Sequence, residues 1–192
     1  MSHRIGAIVL AAGFSNRFGG IKLSARLDNG HSVFSQTMQH INAALDQVLV
    51  VTRPELVAEL SPHCDKLAIF EAAEKGMGAT LAFAVHLARD WDGCLICLAD
   101  MPFVASNTYV RIARQLTPER IILPCYNSQA GNPVGFGSSF FPELLQLQGD
   151  AGGRPLLQRH QHAVVSLELE DAAILDDIDT PEDLQRLQLT RS

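Results

Sequence analysis

The feature that most constrains this chain is an alternation of short, continuously apolar runs with segments of helical period. Apolar runs occupy residues 5–12, 48–52, 67–70, 94–99 and 121–124, and helical patterns lie between them near 33–45, 54–60, 77–91 and 108–116. The pattern after Gly76 is the clearest, with Met77, Leu81, Val85 and Ala88 at spacings of three and four that make one apolar stripe. Strands that are apolar throughout, rather than alternating, are buried on both faces, as in a parallel sheet covered by helices. No linker, repeat or low-complexity segment divides the chain. The expectation is one α/β domain over residues 1–192: a Rossmann-like, mostly parallel twisted sheet with helices on both faces.

Composition limits what such a domain does. A chain of 192 residues, 47% hydrophobic and 19% charged, can bury a core of ordinary size. Its net charge of -6 argues against a general nucleic-acid binder, so any anion site must concentrate its cations locally. No stretch approaches the roughly 18 apolar residues of a membrane span. The first apolar run follows Arg4 but is short and leads into a polar, glycine-containing segment, which reads as a core strand and not a signal peptide. A cytoplasmic location, away from membranes, is expected. Cys94 and Cys97 make a C-x-x-C, but inside an apparent strand residues three apart face opposite ways, so buried reduced thiols are expected and not a metal pair.

In sheets of this kind ligands sit beyond the carboxyl ends of the strands. The first run continues into Leu10, Ala11, Ala12, Gly13, Phe14, Ser15 and Asn16, then Arg17, Phe18, Gly19, Gly20, Ile21 and Lys22. Glycines there allow a tight backbone that offers N–H groups to an anion, Ser15 adds a hydroxyl, and Arg17 and Lys22 add charge. The segment lacks the spacing of a dinucleotide fingerprint or of a P-loop and reads as a triphosphate cradle of another type. Asp100 follows the run 94–99 and emerges at the same edge, where a carboxylate beside phosphates can hold Mg²⁺. Gly76, Met77 and Gly78 open a helix whose N–H groups could meet a nucleotide's polar edge. Asp176, Asp177, Asp179, Glu182 and Asp183 cluster before a helix start, with Asp179 or Thr180 as its cap and Pro181 at its first position.

These segments together resemble the MobA-like NTP transferases, and within them the molybdenum cofactor cytidylyltransferases. The loop fits L-A-A-G-x-S-x-R-[MF]-G-x-x-K. Residues 76–81 resemble G-M-G-x-S-L, 98–102 L-x-D-M-P, 131–135 G-x-P-V, 149–154 G-D-x-G-x-R, and 177–183 D-I-D-T-P-E-D. The chain departs from the pattern at Phe18, where methionine is common, at Asn132, where histidine is expected, and over residues 27–32.

The resemblance implies transfer of CMP from CTP to the terminal phosphate of the molybdenum cofactor, with release of pyrophosphate. It implies nucleotide contacts from Leu10, Ala11, Ala12, Gly13, Ser15, Arg17, Lys22, Gly76, Met77, Gly78 and Asp100, and catalytic roles for Arg17, Lys22 and Asp100. A metal ion, Mg²⁺ with Mn²⁺ as the alternative, would rest on Asp100 and on Asp179 in preference to Asp177. Ala12, found where guanylyl-transferring relatives have glycine, is expected to favour CTP by narrowing the floor under the base. A molybdenum hydroxylase apoenzyme is the implied downstream partner. Two other readings stay open: transfer to a sugar or polyol phosphate, and a non-catalytic cofactor carrier.

Overall fold

The computed structural model describes residues 4–15 and 17–191; Asn16, inside the first loop, lies outside them. Its strands are β1 (Ile5–Ala11), β2 (Val48–Thr52), β3 (Leu67–Ile69), β4 (Gly93–Leu98), β5 (Ile121–Tyr126), β6 (Gln129–Ala130), β7 (Val134–Gly137) and β8 (Val164–Glu168). They form one sheet in the order β3-β2-β1-β4-β7-β5-β6, with β8 also paired to β5. β3, β2, β1 and β4 run parallel to one another, and β5 runs parallel to β8. β7 lies antiparallel between β4 and β5. The sheet is therefore mixed but mostly parallel, as expected.

Every apolar run is a strand, and the alternation along each strand explains why the runs look continuous. Ala7, Val9 and Ala11 point into one core while Ile8 and Leu10 point into the other. The first core is covered by α1 (Val33–Asn42) through Phe34, Met38 and Ile41, and by α4 (Ser106–Gln115) through Tyr109 and Ile112. On the opposite face α3 (Met77–Leu87) contributes Leu81, Ala84 and Val85. Cys94 belongs to that second core and Cys97 to the first, and both thiols are free. Burial pushes both thiols well above the ordinary range, so they are inert packing groups.

Three differences from the sequence reading have physical causes. The segment 54–60 is a 3-10 turn over Pro54–Leu56 running into the short helix α2 (Val57–Leu60), and Pro62, which has no N–H to donate back into the helix, follows at once. α3 ends at Leu87 and not at 91, since Trp91 turns back to cover Gly6, where a Cβ would lie 2.3 Å from its ring. β6, β7 and β8 are too short, too rich in glycine or too exposed to show as apolar runs. The remaining helices are α5 (Phe141–Leu144), α6 (Arg154–Arg159) and α7 (Pro181–Arg191). No helix of the described residues is long and apolar enough to cross a membrane.

Candidate active site at the carboxyl edge of the sheet

Strand pairing brings the two decisive loops together. Leu10 of β1 pairs with Leu98 of β4, and the Ala99 N–H donates to the Leu10 carbonyl at 3.2 Å, so the chain after Ala11 and Asp100 leave the sheet side by side. On the other flank of β1 the buried Thr52 hydroxyl donates to the Ala11 carbonyl at 3.0 Å and pins the strand end. A cavity of about 420 Å³ opens there. Leu10, Ala11, Ala12, Gly13, Ser15, Arg17, Lys22, Gly76, Met77, Asp100 and Asp179 all line it. A Cβ built on Gly13 would meet nothing within 4 Å, so the glycine leaves open space beside the loop.

The acidic segment joins them from the far end of the chain. Ile178 is fully buried in the first core, and its N–H donates to the Asp100 carbonyl at 3.1 Å. That anchor places Asp177 and Asp179 next to Asp100, with a carboxylate oxygen from each of the three within 4.8 Å of the others. Thr180 is the helix cap: its hydroxyl accepts from the Asp183 N–H at 3.1 Å, while Asp183 accepts from the Thr180 N–H at 3.0 Å. The same Asp183 oxygen accepts from the Asp179 N–H at 3.3 Å, so the cap also fixes the backbone that carries the carboxylate.

The cations of the first loop reach into this acidic group. Lys22 Nζ lies 2.5 Å from Asp100 Oδ2 and 3.2 Å from Asp179 Oδ1. Arg17 Nη1 lies 3.0 Å from Asp179 Oδ2. The Lys22 and Asp100 side chains are only 13% and 14% exposed, whereas Arg17 is 76% exposed and well screened by water. Burial pushes the Asp100 carboxyl above the ordinary carboxylate range; Lys22 offsets this only in part, and Asp177 adds to it. Burial also opposes the Lys22 charge, but its contacts with Asp100 and Asp179 outweigh that, leaving the ammonium above its usual value. Three oxygen donors at this spacing, with room beside them for phosphate oxygens, suit a hard divalent cation.

One expectation needs correction. The N-terminus of α3 does not stand open. The Gly78 N–H donates to the Gly149 carbonyl at 2.6 Å, and the Met77 N–H faces Asp150 Oδ1 at 3.4 Å. Gly76, at φ +98°, and Gly78 are glycines because this loop packs against them: Cβ atoms there would lie 2.5 Å from Asp150 Oδ1 and 2.8 Å from the Gln148 carbonyl. Gly76 and Met77 line the cavity; Gly78 does not.

Other lining residues escaped the sequence reading. Phe14, Thr80 and Asp150 border the cavity, and Arg53 stacks on Phe14 at 4.7 Å from the ring centroid. All three lie within the motifs of the first loop, 76–81 and 149–154, which is the available signal; Arg53 has none, because only pairing of β2 with β1 brings it near. A second cavity of about 560 Å³ adjoins the first and shares Met77, Leu98 and Asp150 with it. Gly131, Asn132 and Arg154 line that second space.

The sequence profile of the MobA-like NTP transferase domain matches residues 7–164. The chain belongs to this family. It is 33% identical to purine catabolism protein PucB of Bacillus subtilis (strain 168), over 96% of both chains. It is 25% identical to the molybdenum cofactor cytidylyltransferase of Escherichia coli (strain K12), over 93% of both. Among solved structures, Rv0371c of Mycobacterium tuberculosis H37Rv superimposes with a TM-score of 0.85 at 29% identity, covering 98% of this chain and 99% of that one. A complex of Rv0371c with manganese matches at a TM-score of 0.80 and 27% identity, covering 97% and 99%. The fold and family are those of a nucleotidyltransferase, and the acidic cluster is consistent with divalent-metal binding.

Proposed function

We propose that this MobA-like NTP transferase moves CMP from CTP to the terminal phosphate of the molybdenum cofactor and releases pyrophosphate. The observation that carries the reading is the convergence of Lys22, Arg17, Asp100 and Asp179 beside a glycine-bearing loop at the carboxyl edge of the sheet. The triphosphate would lie along residues 12–22, with the base toward Ala12 and the acceptor in the adjoining cavity near Asn132 and Arg154.

The chemistry follows from charge. An acceptor phosphate oxygen forms a bond to the α-phosphorus, the bond from that phosphorus to the bridging oxygen breaks, and the electron pair leaves with pyrophosphate. A phosphate monoester is already ionised at neutral pH, so no general base is needed. The chain's task is to align the two phosphates and to place positive charge where negative charge grows. Lys22 and Arg17 do this for the α-phosphate and the departing group. Asp100 and Asp179 would hold Mg²⁺ or Mn²⁺, which supplies charge neutralisation at the α-phosphate. Arg154 is the one basic side chain bordering the second cavity among its described lining residues, and it suits an anionic acceptor.

The similarity to a molybdenum cofactor cytidylyltransferase supports this acceptor, and a downstream molybdenum hydroxylase apoenzyme would be consistent with it. Asn132 in the second cavity, where histidine was expected, favours one competing reading: transfer to a sugar or polyol phosphate. Pyrophosphate release from CTP decides between them. Release that depends on molybdopterin supports the proposal, release with a polyol or sugar phosphate instead supports the alternative, and no release with any acceptor removes both.

A further inference from the structure

We propose that Lys22 is an internal counter-ion that competes with free divalent metal, so that metal and nucleotide enter this site as a unit. The inference rests on the reading of Asp100 and Asp179 as the metal-holding pair.

The Lys22 ammonium touches a carboxylate oxygen of each, at 2.5 Å from Asp100 and 3.2 Å from Asp179. A divalent cation ligated by both carboxylates needs oxygens at about 2.0–2.6 Å and competes with the ammonium for the same two carboxylates. Two cations in contact there repel, so the ammonium has to leave when the metal arrives. Lysine carries a compact point charge on a flexible stem and can swing away. It has somewhere to go only if an anion comes too. A bare metal ion therefore breaks a shielded ion pair and strands a largely buried ammonium. A metal–triphosphate complex exchanges partners instead: the carboxylates take the metal, and Lys22 and Arg17 take phosphate oxygens. Lys22, Arg17, Asp100 and Asp179 each have a partner of opposite charge before and after, and the coupling between the two ligands is reciprocal.

Arg17 offers an internal comparison. It contacts Asp179 alone, at 3.0 Å, and its side chain is 76% exposed, so water screens it and it should hinder metal little.

The test measures Mn²⁺ binding without nucleotide, by electron paramagnetic resonance titration, on wild type, Lys22→Met, Lys22→Gln, Arg17→Met and Asp100→Asn. Circular dichroism and melting curves confirm that each variant folds. The expected result is Mn²⁺ bound about tenfold or more tightly by both Lys22 variants, as removal of a contacting charge in a partly dehydrated site requires. Arg17→Met should gain less than about threefold, as befits an exposed pair. If folded Lys22 variants bind Mn²⁺ no more tightly than wild type while Asp100→Asn abolishes binding, the counter-ion role is wrong and the metal assignment stands. If Asp100→Asn leaves Mn²⁺ affinity unchanged, the metal assignment itself fails, and the counter-ion role with it.

Discussion

Asp100→Asn separates a catalytic from a structural role for the carboxylate at the end of β4. The two amino acids have nearly the same shape, so packing is retained. The charge lost is one that burial disfavours, since the Asp100 carboxyl titrates above its ordinary value. Lys22 keeps its second partner, Asp179, at 3.2 Å. The stability change should therefore stay within about 1 kcal/mol, because relief of a buried charge offsets the weakened ion pair. Turnover should behave differently. An amide holds a divalent cation poorly, and loss of about 2–4 kcal/mol of transition-state charge stabilisation corresponds to a fall of about 30- to 1,000-fold in kcat. The assay is initial-rate pyrophosphate release at saturating CTP and molybdopterin, with a melting curve on the same preparation. A folded variant with kcat within about threefold of wild type would refute the assignment, because that is under 1 kcal/mol of lost stabilisation.

Three further outcomes are expected. Ala12→Gly removes a methyl group from the cavity floor and should shift the CTP-to-GTP ratio of kcat/KM toward GTP by at most about ten- to a hundredfold; an unchanged product ratio from an active variant in equimolar CTP and GTP would remove Ala12 from base selection. Thr180→Ala deletes the α7 cap and should cost about 1 kcal/mol, lowering Tm by about 2–4 °C, with weaker Mn²⁺ binding because Asp179 shares the Asp183 contact; an unchanged Tm would contradict the capping role. Acid should release metal early: a carboxyl whose value is raised takes up its proton at higher pH than an ordinary aspartate. At subsaturating Mn²⁺, the midpoint of metal loss on acidification should therefore lie above the ordinary value of 3.8, and a midpoint at or below it would contradict the burial effect.

What the sequence made legible was the part governed by local pattern. Continuous apolar runs marked β1 to β5, because the core lies on both sides of the sheet and most positions along the central strands β1 and β4 are buried. The cysteine spacing was readable for the same reason, since Cys94 and Cys97 had to face opposite cores. β7 was not readable. Its four residues include two glycines, and it exists as a strand only because β4 and β5 flank it. At the site, Lys22, Asp100 and Asp179 were singled out from three distant segments, and their motifs carried that reading; their mutual contacts were not in any local signal. The glycines at 76 and 78 show the limit most plainly. They suggested an open helix N-terminus, whereas they serve close packing by Gly149 and Asp150, a contact between segments far apart in the chain.

The most direct test of where this transferase holds its nucleotide is anomalous diffraction from crystals grown with Mn²⁺ and a non-hydrolysable CTP analogue. The expected result is an anomalous peak at about 2.0–2.2 Å from carboxylate oxygens of both Asp100 and Asp179, with the triphosphate against Arg17 and Lys22. A manganese peak away from these carboxylates, or a triphosphate lying in the cavity beside Arg154, would contradict it.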